Sequence, residues 1–109
     1  MYLCVVKSYN YMRVIAKKAL VTYYTTHPQA KDALEEWYTK TEEAEWHSLA
    51  DMRRTFNSVD YVGNQHYVFN IKGNDFRLVV VVRFTPQQVL IRFIGTHAEY
   101  DKITDIKNL

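Results

Sequence analysis

Two periodicities divide the chain. Apolar side chains recur at Ala19, Leu20, Tyr23 and Tyr24 within residues 17–26, and at Ala30, Ala33, Leu34, Trp37 and Tyr38 within residues 29–39. Spacings of three and four put each set on one side of a helix, so both segments predict amphipathic helices that pack on a common surface. His27-Pro28 separates them, because the residue before a proline is driven out of the α region. Trp46, Leu49 and the run from Met52 to Phe56 predict a third, shorter helix. From residue 66 the period changes to two. Residues 66–71, 76–84 and 89–94 are rich in Val, Ile and Phe, and are separated by Lys72-Gly73-Asn74-Asp75 and Thr85-Pro86-Gln87-Gln88, which predicts a β-meander. Residues 59–62, ahead of Gly63-Asn64, offer a fourth strand, and residues 12–17 a short strand-prone opening. The expected fold is α+β: an antiparallel sheet with a meander of three to four strands plus an N-terminal strand, two to three N-terminal helices on one face, and a short C-terminal helix.

Alternation then sorts side chains by face. In the strand over residues 76–84, Phe76, Leu78, Val80, Val82 and Phe84 share one side, while Arg77, Val79, Val81 and Arg83 share the other. A turn at Gly73-Asn74 pairs Ile71 with Phe76, Asn70 with Arg77, Phe69 with Leu78 and His66 with Val81. A four-residue loop over residues 85–88 pairs Phe84 with Val89, Val81 with Arg92 and Val79 with Ile94. In that register one face is uniformly apolar, and the other carries His66, Asn70, Arg77, Arg83 and Arg92 among valines. Three arginines on a half-buried face have two readings. Each can be held by a carboxylate from a helix, or together they can form an anion-binding surface, since the guanidinium fork matches phosphate oxygens.

The last strand runs into Gly95-Thr96-His97-Ala98-Glu99-Tyr100. Thr96 and Glu99 have the spacing of a capping box, so a helix is expected to start here with His97 and Tyr100 on one side of its first turn. The extrapolated register sets Thr96 opposite Arg77. Asn70, Arg77, His97 and Tyr100 therefore converge at one end of the sheet, with Arg92 farther along the face and Lys72 on the neighbouring turn. RNA cleavage by the ribose 2′-hydroxyl needs a base, positive charge for the phosphorane-like transition state and an acid for the departing oxygen. Histidine, arginine and tyrosine can fill those roles, and the amides of a helix start favour phosphate. A histidine at a helix start is more often structural, so Thr-His-x-Glu-Tyr alone is a moderate signal.

Composition narrows the alternatives. At 109 residues, 48% hydrophobic and 24% charged, with three Gly and two Pro, the chain suits one ordered domain with its own core. Residues 1–11 fit the element pattern poorly and read as a dispensable extension, with Met12 as an alternative start and residues 12–109 as the domain. The lone Cys4 forms no internal bridge and no zinc pattern, which suits a reducing cytoplasm. No apolar run approaches a membrane span, and no signal-peptide core is present. Residues 31–51 hold seven acids and two bases, a net of −5 that leaves +7 on the remainder of a chain whose total is +2. A basic face opposed to an acidic one suits a polyanion partner, although an acidic solvated helix explains the asymmetry equally well. No Gly-rich phosphate loop, nucleophile elbow around Ser48 or Ser58, or metal spacing among His27, His47, His66 and His97 is found, so neither a cofactor nor a metal is expected. Trp37, Tyr38 and Trp46 read as core or partner surface.

The stretch from His66-Tyr67-Val68-Phe69-Asn70-Ile71-Lys72-Gly73-Asn74-Asp75-Phe76-Arg77-Leu78-Val79, and the later Ile91-Arg92-Phe93-Ile94-Gly95-Thr96-His97-Ala98-Glu99-Tyr100-Asp101, resemble the two signature blocks of the HigB toxin family in the RelE superfamily. The similarity spans nearly the whole chain from Met12 to about Ile103. It implies a RelE-like fold and ribosome-dependent, metal-independent endonucleolytic cleavage of mRNA in the ribosomal A site. It also implies neutralisation by a HigA-type helix-turn-helix antitoxin, through which alone operator DNA would be bound. On this resemblance His97 is a candidate base or acid, Arg77 and Arg92 are transition-state stabilisers, and Tyr100 is an orienter or alternative acid. Asn70, Lys72, Arg83 and Thr96 are candidate RNA contacts. The alternative is a module whose basic face occupies RNA or the ribosome and blocks translation without cutting.

Overall fold

The computed structural model describes residues 11–109. The expectation of a dispensable extension over residues 1–11 lies, apart from Tyr11, outside the described residues. In chain order the elements are β1 (Arg13–Ile15), α1 (Lys17–Thr26), a 3-10 turn (Pro28–Ala30), α2 (Lys31–Glu42), α3 (Leu49–Thr55) and β2 (Val59–Gly63). They continue with β3 (His66–Ile71), β4 (Phe76–Arg83), β5 (Gln88–Thr96), α4 (His97–Asp101) and a second 3-10 turn (Ile106–Asn108). The fold is α+β, with three α-helices leading a meander and a short helix closing it.

One sheet runs in the order β1-β5-β4-β3-β2. Strands β2 to β5 form the antiparallel meander. The N-terminal strand joins the β5 edge in parallel, with Val14 opposite Val89, so the sheet is mixed and not purely antiparallel. A parallel pair needs a crossover between its strands, and here all three long helical segments and three strands lie between β1 and β5 in sequence. The free edge of β1 is partly closed by α2, where the Glu42 carboxylate accepts the Val14 amide at 2.8 Å.

The core lies between the helices and one face of the sheet. Phe76, Leu78, Val80 and Val82 of β4 meet Leu20, Leu34, Trp37 and Met52 of the helices. Trp37, Trp46, Phe56 and Phe69 pack among themselves with ring centroids 5.3 to 6.5 Å apart, contacts worth about 1 kcal/mol each beyond area burial. Both tryptophans are fully buried, which fits their reading as core.

The β3–β4 hairpin takes the register expected from the pattern, with Asn70 opposite Arg77 and His66 opposite Val81. The β4–β5 hairpin does not. Arg83 pairs with Gln88 and Val82 with Val89, and a one-residue irregularity at Arg92 separates Val80↔Ile91 from Val79↔Phe93. A bulge breaks the two-residue alternation. Beyond it Ile94 joins the core, while Phe93 and Gly95 stand opposite Val79 and Arg77. Gly95 therefore faces Arg77, and Thr96 faces Phe76.

On the face turned away from the long helices, Val68, Val79 and Val81 are buried. Among the described residues α4 packs against β4 and β5, and the second 3-10 turn against β2. Residues 97–109 thus cross from the end of β5 to the β2–β3 turn, where the Asn64 amide donates to the Lys107 carbonyl at 3.1 Å.

Candidate functional site

Arg77 is the centre of the polar end of that second face. Its guanidinium donates to the Asn74 side-chain oxygen at 3.0 Å, and at longer range to the carbonyls of Asn74 and Phe76. All three acceptors are neutral. Among the described residues none of Arg77, Arg83 and Arg92 has a carboxylate within ion-pair distance; the acids pair instead with Lys17, Lys40, His47, Arg54 and His97. Internal ion pairing thus does not account for these arginines. The β3–β4 turn that holds Arg77 carries left-handed backbone at Lys72 and Gly73, a conformation glycine adopts without strain.

Helix α4 brings the next groups. Thr96 and Glu99 close the expected capping box: the Glu99 amide donates to the threonine hydroxyl at 3.1 Å, and the Thr96 amide to the Glu99 carboxylate at 2.8 Å. The His97 amide donates to the Asp75 carbonyl at 3.0 Å, which ties the helix start to the Arg77 turn. These amides are occupied within the protein, so the free helix-start amides expected for phosphate are reduced. The ring of Tyr100 lies 5.9 Å from the Arg77 guanidinium. Burial, the largest influence, pushes the Tyr100 hydroxyl above its usual value; Arg77 opposes this, and Asp60 and Asp101 add to it. The hydroxyl is thereby a proton donor across the neutral range.

His97 and Asp101 form a pair at 2.9 Å through Nδ1. An ionised carboxylate only accepts, so the shared proton sits on Nδ1 and Nε2 is left for outside chemistry. Both side chains are about half exposed.

The remaining expected residues divide. Asn70 stands beside Arg77 and donates to the Ser58 hydroxyl at 2.6 Å. Lys72 is on the adjoining turn and lines a small depression against α2 with Glu36 and Lys40. Arg92 sits at the bulge without a direct cross-strand partner, in place of the expected position opposite Val81. Thr96 lies one register step from Arg77, with its hydroxyl engaged in the cap. Arg83 is at the other end of β4, six residues from Arg77 or about 20 Å, and is not brought into the cluster. His66 is buried, and its ring nitrogens face the backbone oxygens of Asn64 at 2.7 Å and Leu109 at 3.1 Å.

A family model described as HigB_toxin, the RelE-like toxic component of a toxin-antitoxin system, matches residues 30–103. The chain is 34% identical over 98 residues to a protein of Escherichia coli K12 named mRNA interferase toxin HigB, a match covering 87% of this chain and 93% of that protein. This chain belongs to the HigB toxin family. An mRNA interferase HigB of Shigella flexneri matches equally well, and one of Escherichia coli O6:H1 is 28% identical over 95 residues, covering 85% and 92% of the two chains.

For a HigB-family toxin the fold thus gathers Asn70, Arg77, His97 and Tyr100 around one turn. Two neighbours escaped the sequence reading. Asp101 was signalled by its i,i+4 spacing from His97. Asn74, which holds the guanidinium, was hidden within what read only as turn composition. Among the described residues no group of three His, Cys, Asp or Glu side chains is placed to hold a metal ion, and no helix is long and apolar enough to cross a membrane.

Proposed function

We propose that this chain is a cytoplasmic mRNA interferase that cuts messages in the ribosomal A site without a metal. One observation carries the reading: a guanidinium held by neutral acceptors only, beside a protonated phenol and next to a helix bearing an imidazole fixed by a carboxylate. The names of the relatives support the same activity.

The chemistry follows from the groups. A base, His97 through Nε2 or a neighbour, takes the proton of a ribose 2′-hydroxyl. The O2′–P bond forms as the P–O5′ bond breaks, and Tyr100 or the protonated imidazole supplies the proton to the departing O5′. The products are a 2′,3′-cyclic phosphate and a 5′-hydroxyl. Arg77 stabilises the charge that develops on the non-bridging oxygens, a contribution that removal of a single such donor puts at about 10²–10³ in rate. Asn70 would contact the nucleotide beside the cut, Lys72 the flanking backbone, and Arg92, exposed on the bulge, a more distant phosphate. Ribosome dependence would supply what an open site lacks, since a message bent in the A site arrives with its 2′-hydroxyl, phosphorus and leaving oxygen already aligned. A HigA-type helix-turn-helix antitoxin would neutralise the toxin and link it to operator DNA.

Primer extension on a reporter transcript in a translating extract tests this. Breaks within translated codons, with 5′-hydroxyl ends and dependent on translation, are the expected result. A 5′-phosphate would point to metal-activated water, and translational arrest with an intact transcript would replace the nuclease by a module that only occupies its target.

A further inference from the structure

Against Asn70 and Asn74, the neighbours of Arg77, the structure holds an open groove of about 520 Å³, between the connection from α3 to β2 and the end of the β3–β4 hairpin. That volume falls within the roughly 300–1,000 Å³ of small-ligand sites. The half-buried Phe56 contributes apolar surface to it, backed by the buried Phe69, and Asn57, Ser58, Asn70 and Asn74 contribute polar groups. One of the asparagines has a fixed amide orientation, because a guanidinium only donates. Asn70 spends one end of its amide on the Ser58 hydroxyl, so the other end remains for a ligand. Asn74 gives its oxygen to Arg77, so its NH2 remains as a donor. Among the described residues neither remaining group has a hydrogen-bond partner, nor does the Asn57 side chain.

We propose that this groove seats one unstacked nucleobase of the message, reading its edge with the free end of the Asn70 amide and the free NH2 of Asn74 while Arg77 holds the adjoining phosphate. This rests on the nuclease reading above and adds the residues that choose where the cut falls. An unpaired base presents neighbouring donors and acceptors on one edge and an apolar ring face. The groove offers the complement of both. Because Asn74 grips Arg77 and lines the groove at once, base seating and phosphate placement are mechanically joined. Asn57 and Ser58, exposed on a connecting segment, set the groove's far side and make no contact with the reacting groups.

Two measurements test the assignment. In the first, cut sites are mapped across many codons for the wild type, Ser58→Leu and Asn57→Ala; both positions are exposed, so folding is retained. The base preference beside the cut, read as the ratio of cutting between codons that differ at that base, is expected to weaken by about fivefold or change identity. An unchanged cut-site distribution in both variants overturns the proposal. In the second, the side-chain amide signals of Asn57, Asn70 and Asn74 are followed by 15N NMR as each of the four nucleoside 3′-monophosphates is added, with inorganic phosphate as control. Shifts that differ among the bases and are absent with phosphate support a base seat even if the wild type proves not to cut RNA. Equal shifts with inorganic phosphate overturn it while leaving the nuclease reading intact.

Discussion

The two ends of the sheet face that carries no long helix differ in how their polar groups are satisfied. At one end His66 is 4% exposed and has both ring nitrogens against backbone oxygens, one of them in the segment that crosses from α4. At the other end Arg77 keeps a full positive charge whose hydrogen bonds go only to neutral oxygens of its own turn. Both residues lie on the same face and read alike in the alternation pattern. What separates a structural polar residue from a functional one is whether its demand is met inside the chain. His66 is enclosed, with a backbone oxygen within reach of whichever ring nitrogen carries the proton; Arg77 is open to an anion.

The largest effect that can break this contrast is at Arg77. Arg77→Ala is expected to lower codon cleavage by about 10²–10³, while thermal melting moves by only a few degrees. A collapse in melting temperature would show that the guanidinium anchors the hairpin. His97→Ala should cost about 10² in cutting rate, and Asp101→Ala less, because Asp101 acts through the imidazole. Asp101→Asn separates the two contributions of the carboxylate: retained rate means that orientation suffices, and a rate like that of the alanine variant means that its charge is needed.

Smaller effects sharpen the other side. His66→Ala should destabilise the fold by about 1–3 kcal/mol in chemical denaturation and leave cleavage per folded molecule unchanged. Loss of cutting at full stability would move His66 into the active region. Stability should also fall in alkali. Burial raises the hydroxyls of Tyr23, Tyr67 and Tyr100 above their usual value, so the fold favours the neutral phenols. That preference is fully present below the unfolded-state value of about 10 and is lost as pH climbs through the raised folded values. A melting temperature that held steady while phenolate absorbance rose would contradict it. Smallest of all is the expected effect of removing residues 1–11: among the described residues Met12 is the first buried in the core, and a chain beginning there should melt and cut as the full chain does.

The helices, the β3–β4 register and the capping box were all legible because each depends on residues close in sequence. The 71–76 hairpin has its register fixed by a short turn and by apolar residues on both strands, so alternation and turn agree. The same reasoning failed one hairpin later. Gln87 bonds through its side chain to both backbone groups of Trp46, a distant loop, and the bulge at Arg92 exchanges Phe93 for Ile94 in the core. Neither constraint leaves a periodic trace. Arg92 and Thr96 were misplaced for that reason, and Arg83 was grouped with Arg77 because a shared face says nothing of distance along a strand.

What the amino-acid order decided by itself was the kind of domain, the apolar face that helices would cover and the family to which the chain belongs, since these rest on local period, turn chemistry and contiguous blocks. Which arginine remains free of carboxylates, which histidine is closed off by residues 97–109, and where a groove opens beside Arg77 were decided only in three dimensions. Each depends on groups far apart in the chain meeting, or failing to meet, a partner of opposite charge or complementary hydrogen-bonding capacity.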